Sequence, residues 1–198
     1  MPLLPVLAAG FFFVGPLVAV GLYELSRRLA AGEPVHLAAL AGAWRRNPVH
    51  LAALGLVLAT AFFGWVIVAA AEFAALYGAP VPEGERFLAE LFLAARSPAF
   101  LLAGTATGAV IALVVYALAA VSAPLLVDRP ETDFAAAVLA SVEAVRTNPG
   151  PMLLWAALLV ALTGFGLLTF FFGLAVAFPW AGCATWHACR DLVSAGDG

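Results

Sequence analysis

At 198 residues, 65% hydrophobic and only 11% charged, this chain is not a soluble globular domain, which carries about 25% charged residues and cannot bury so much apolar surface. Its mean hydropathy of +1.06 defines a polytopic α-helical membrane protein. Its net charge of −3, with arginine as every one of the nine basic residues, supplies no basic stripe for nucleic acid. The apolar runs are continuous and rich in Ala and Leu, which excludes a membrane barrel built from alternating strands of about ten residues.

The first predicted span covers residues 3–24, close to the ~20 residues a membrane helix needs. It lacks a basic leading region, so it reads as a retained span rather than a signal peptide. Gly15-Pro16 is expected to kink it. It ends in Tyr23-Glu24-Leu25-Ser26-Arg27-Arg28, an aromatic followed by two arginines, which reads as an interface anchor. Residues 34–46 place Leu37, Leu40 and Trp44 on one helical face and are too short to span, so an interfacial amphipathic helix is expected. His36 and His50 flank it as solvated or capping groups.

Residues 49–77 form the second predicted span. It carries Glu72, an intramembrane carboxylate and therefore a candidate functional group. Glu72 lies close enough to Tyr77 to reach the interface, and we expect it to be structural. Residues 84–96 form a second amphipathic helix, with Phe87, Leu88, Leu91 and Phe92 on one face. The third span, residues 99–127, contains Gly104-Thr105-Ala106-Thr107-Gly108. The Gly104/Gly108 spacing permits close helix packing. Asp128-Arg129-Pro130-Glu131 reads as a turn and Thr132 as an N-cap. Residues 132–147 then form the third surface helix, with Phe134, Val138, Val142 and Val145 at helical spacing.

From Gly150 to Cys189 there is no Asp, Glu, Lys or Arg. One helix over that stretch would be ~60 Å long, about twice the hydrocarbon core. Two spans are therefore expected, 150–169 and 171–190, with the turn between Gly164 and Gly173. The alternative is one long span to Phe178 and a surface helix from Pro179. The fold class is thus all-α, a transmembrane helix bundle with interfacial amphipathic helices between spans.

A junction recurs along the chain: Arg45-Arg46-Asn47-Pro48, Arg96-Ser97-Pro98 and Arg146-Thr147-Asn148-Pro149, with the prolines 50 and then 51 residues apart. Proline ends the preceding helix and suits the first turn of the next, and the Asn or Ser before it is expected to cap that turn. Arg45, Arg46, Arg96 and Arg146 are expected to hold lipid head groups at the interface. With five spans, Arg27, Arg28, Arg45, Arg46, Arg129, Arg146 and Arg190 share one side, and Arg86 and Arg96 the other. Seven against two puts the first group in the cytoplasm, the N-terminus outside and the C-terminus inside.

Cys183, His187 and Cys189 are the only cluster of soft ligands, with Cys183 and His187 one helical turn apart. No CxxC or CxxCH accompanies them, and small buried cysteines beside an interfacial Trp-His-Arg belt account for the pattern. No metal or cofactor is expected. Without a phosphate loop, nucleophile elbow or His/Glu metal pair, an enzyme is not expected either. Two readings remain. One is an accessory or scaffold subunit that packs against other membrane proteins or copies of itself. The other is a small transporter or lipid-handling protein built on the 50-residue repeat. Membrane lipids are partners in both.

Several blocks resemble a bacterial family of predicted integral membrane proteins of unknown function, some of whose members carry a cytochrome c oxidase subunit label. They are Gly15-Pro16 with Gly21 to Arg28, Pro124-Leu125-Leu126 with Asp128-Arg129, Ser141 with Asn148-Pro149, and Gly182 with Ala184-Thr185-Trp186-His187 and Arg190. The resemblance implies a six-span plan in which this chain starts at the second span. Where such proteins tend to have His and Tyr, this chain has Cys183 and Cys189, which weakens any shared histidine-based site. The family brings no established activity.

Overall fold

The computed structural model describes residues 15–77, 98–169 and 171–196. Their regular structure is entirely helical: α1 (Val20–Ala30), α2 (Leu37–Ala41), a 3₁₀ turn (Ala43–Arg46), α3 (Pro48–Tyr77), α4 (Pro98–Ala119), α5 (Ser122–Asp128), α6 (Phe134–Thr147), α7 (Pro149–Leu168) and α8 (Leu174–Gly196). Three stretches are long and apolar enough to cross a membrane: Pro48–Leu76, Pro98–Asp128 and Pro149–Leu168. They fall on three of the five predicted spans. Most of the first predicted span and all of the 84–96 amphipathic segment lie outside the described residues.

α8 takes up the fifth predicted span but is not among those three stretches. Its second half carries Trp186, His187, Arg190 and Asp191, which lower its hydropathy. The turn between α7 and α8 falls at residues 169–173, inside the window set by helix length. Thr169 Oγ1 accepts from the Gly173 backbone N–H at 2.8 Å and donates to the Phe165 carbonyl at 2.9 Å. Phe171 adopts φ 70° there, a left-handed conformation that strains a residue with a Cβ.

The chain forms two compact units. The described part of one lies within Val57–Val115 and pairs the bulk of α3 with α4. Gly104 and Gly108 of α4 face side chains of α3. A Cβ on Gly104 would sit 3.8 Å from Glu72 Oε2, and one on Gly108 3.8 Å from Trp65 Nε1. The glycine groove therefore receives long side chains of α3 and not its backbone. Phe73 and Phe100 close the pair edge to face, with ring centroids 6.1 Å apart.

The other unit contains Val14–Leu56 and Tyr116–Gly198. Its centre is α5, whose residues Ser122 to Val127 are all buried, with α1, α6 and α8 packed around it. Leu51, Leu54, Val20, Tyr23, Val121 and Trp186 complete the core. The third predicted span is broken at Ala120–Val121. Pro124 has no N–H for the Ala120 carbonyl. Val121 N–H turns to Ser141 Oγ at 3.1 Å, and Ser122 Oγ donates to the Leu118 carbonyl at 2.6 Å. α1 and α8 approach closely where Gly182 meets Leu22.

Three local expectations are corrected. Residues 34–46 do not form one helix: α2 stops at Ala41 and the 3₁₀ turn follows, with Leu37 exposed. The N-cap of α6 is Asp133, whose carboxylate accepts from Ala136 N–H at 2.8 Å, and not Thr132. Thr132 is one residue too early, and its carbonyl accepts from Asn47 Nδ2 at 2.9 Å. Asn148 makes no side-chain cap on α7; its Nδ2 instead donates back to the Ala144 carbonyl and to Thr147 Oγ1. Ser97 lies outside the described residues.

Candidate functional site

Glu24, Arg27 and Arg28 stand at i, i+3 and i+4 on α1, a spacing that stacks both guanidiniums over one carboxylate. Arg27 Nε donates to Glu24 Oε2 at 2.8 Å and Arg27 Nη2 to Oε1 at 3.0 Å. Arg28 Nε donates to Oε1 at 2.6 Å. Arg46, from the 3₁₀ turn, places Nε 3.5 Å from Oε2 and donates to the Val127 carbonyl at 2.8 Å. Glu24 is only 1% exposed, and a buried carboxylate is tolerable only when paired and hydrogen-bonded like this.

Gly32 then adopts φ 67°, the left-handed conformation that ends a helix and turns the chain back. The reversal brings Glu33 to the far side of Arg27, which donates to Oε1 at 3.0 Å and to Oε2 at 2.9 Å. The Arg27 hydrogen bond first, and then the charges of Arg27 and Arg28, hold the Glu33 carboxyl below the usual carboxylate range, against burial and the charge of Glu24. Arg27 is thus shared between two carboxylates.

Beside this network lies a cleft of about 410 Å³. Arg27 and Ala30 of α1 with Ala31 just after it, Asp128 and Arg129 at the end of α5, and Trp186 and Arg190 of α8 line it. The buried Trp186 indole donates from Nε1 to Asp128 Oδ1 at 3.2 Å. Arg190 lies over the Trp186 ring, 5.0 Å from its centroid, in a cation–π contact. Cys189 Sγ closes the floor, 3.7 Å from the Val121 carbonyl.

The structure disperses the residues singled out from the sequence. Cys189 is buried against Val121, His187 is exposed with its ring 4.8 Å from that of Trp186, and Cys183 is half-buried. Among the described residues no group of three His, Cys, Asp or Glu side chains could hold a metal. Arg46 is drawn inward to Glu24 and Val127, while Arg45 and Arg146 stay exposed. Arg96 lies outside the described residues. His50 caps in an unforeseen way: its Nδ1 accepts from the Phe134 N–H at the start of α6, at 3.2 Å.

Glu72 is partnered within its own unit. Thr107 Oγ1 of α4 donates to Glu72 Oε1 at 2.5 Å. Glu72→Gln keeps an amide oxygen in that position, so its thermal melt in detergent should stay close to wild type. Thr107→Val strips the donor and should cost about 0.6–1.5 kcal/mol, the range for interhelical hydrogen bonds in membranes. A larger loss for the glutamine variant than for the valine variant would show that the carboxylate charge itself holds the pair.

Sequence reading took Glu24 as part of an interface anchor and passed over Asp128 and Trp186 as a pair. The i, i+3, i+4 spacing of Glu24, Arg27 and Arg28 was the one local signal that pointed to the network.

Three helical stretches long and apolar enough to span define a multi-span helical membrane protein. The family model described as predicted integral membrane protein (DUF2189) matches residues 3–128, and the chain belongs to that family. The match takes in the Gly15-Pro16, Gly21–Arg28 and Pro124–Asp128 blocks, whereas the Gly182–Arg190 block lies beyond it. No curated protein and no solved structure is matched by the chain.

Proposed function

We propose that the protein is a non-enzymatic subunit of a bacterial inner membrane that packs against other membrane proteins or further copies of itself. The observation that carries this reading is α7: among the described residues only 11% of its most apolar stretch is buried, lower than the 17% of Pro48–Leu76 and far below the 50% of Pro98–Asp128. Leu153, Leu154, Val160 and Phe165 are open along it. Apolar helices in lipid associate through side-chain packing, and a span so little covered by the described part of its own chain offers a surface for that purpose. Arg27, Arg28, Arg46, Arg129 and Arg190 gather around Glu24 and the adjoining cleft, and with the arginine asymmetry this supports reading that cluster as cytoplasmic, with the N-terminus outside and the C-terminus inside.

The test is photocrosslinking from single positions 154 and 158 of α7 in native membranes. A discrete protein adduct in stoichiometric yield is expected at both positions. Adducts to lipid alone, together with cation or solute flux by the purified protein in vesicles, would replace this reading with the small-transporter one.

A further inference from the structure

We propose that the cleft between the ends of α1, α5 and α8 binds a phosphate-bearing anion of head-group size. Three arginines line it, Arg27, Arg129 and Arg190, against one carboxylate, Asp128. Guanidinium groups are the preferred side chains for phosphate because their planar forks match its oxygens.

The cleft is also preorganised. Asp128 fixes the Trp186 indole, and Trp186 in turn holds Arg190 over its ring. Glu24 and Glu33 fix Arg27 from two sides. A ligand entering such a site spends little binding energy on ordering side chains. With Arg28 and Arg46 behind Glu24, and with Glu24, Glu33 and Asp191 counted beside Asp128, five arginines stand against four carboxylates around the cleft, a small positive excess.

Size and level narrow the ligand. About 410 Å³ is near the lower end of the roughly 300–1,000 Å³ of small-molecule sites, enough for a phosphate ester and its polar substituent. Asp128 is the last residue of the Pro98–Asp128 stretch, so the cleft opens where a span ends. A phosphate at that level comes either from an anionic phospholipid head group or from a small soluble phosphate ester.

The experiment uses the full chain and two probes. Glycerol 3-phosphate is titrated into detergent-solubilised protein, and phosphatidylglycerol is titrated into phosphatidylcholine nanodiscs holding it. Binding is read as a saturable rise in melting temperature. Saturation with glycerol 3-phosphate identifies the soluble source, and saturation with phosphatidylglycerol alone identifies the lipid.

Ala30 lines the cleft and is exposed, so charges can be added there without deleting any contact. Ala30→Glu should weaken binding at least tenfold and Ala30→Lys should strengthen it. Arg190→Ala should weaken it at least tenfold, whereas Arg45→Ala, an exposed arginine outside the cleft, should leave it unchanged. Absence of a saturable shift with either probe, or equal affinities for the glutamate and lysine variants, would overturn the proposal.

Discussion

Glu24→Ala should destabilise the protein by about 3–5 kcal/mol, the range for breaking a buried ion pair by removing one partner. The loss exceeds that of a surface ion pair because Glu24 is buried and the arginines around it are themselves only partly exposed. Without the carboxylate, Arg27 keeps its hydrogen bonds to Glu33, Arg28 keeps the Pro34 carbonyl and the more distant Glu33 at 3.7 Å, and Arg46 keeps the Val127 carbonyl but loses its carboxylate. Glu24→Gln retains one acceptor and the side-chain volume, so its cost should be intermediate. The measurement is equilibrium unfolding of the full chain in mixed micelles. An alanine variant within about 0.5 kcal/mol of wild type, the spread of ordinary surface substitutions, would mean that the network is decorative.

Gly182→Leu should be nearly as damaging. A Cβ at this position would lie 2.5 Å from Leu22 Cδ1 and 2.9 Å from Leu22 Cβ. The Cδ1 contact can be relieved by a new rotamer. The Cβ contact cannot, because that atom is fixed to the α1 backbone. The two helices must move apart, and overpacking of this kind costs about 1–3 kcal/mol. Leu22→Ala in the same chain should recover part of the loss by vacating the outer half of the clash. A melt of Gly182→Leu coincident with wild type, or a double variant no better than the single one, would contradict this packing.

The membrane class and the three candidate spans could be read from composition because continuous apolar runs have one physical outcome in lipid. Arithmetic on helix length called for a turn between Gly164 and Gly173 but did not fix where in that window α7 ends. What escaped notice depended on residues far apart in the chain. Nothing near Gly182 announces Leu22, and nothing near Asn47 announces the Thr132 carbonyl that receives its amide. Arg46 looked like a head-group ligand because its neighbours are polar. Only tertiary packing brings Val127 and Glu24 to it. The N-cap of α6 was missed by a single residue because Thr132 and Asp133 both fit the local pattern.

The Trp186–Asp128 contact joins residues 58 positions apart, and it sets an order on biogenesis. α5 is synthesised well before α8, yet its residues Ser122 to Val127 are buried in a core that includes Trp186. A nascent chain that has released α5 but not yet α8 therefore carries an unshielded short helix and an unfinished arginine cluster. Lesions that keep α8 from docking should therefore leave both uncovered.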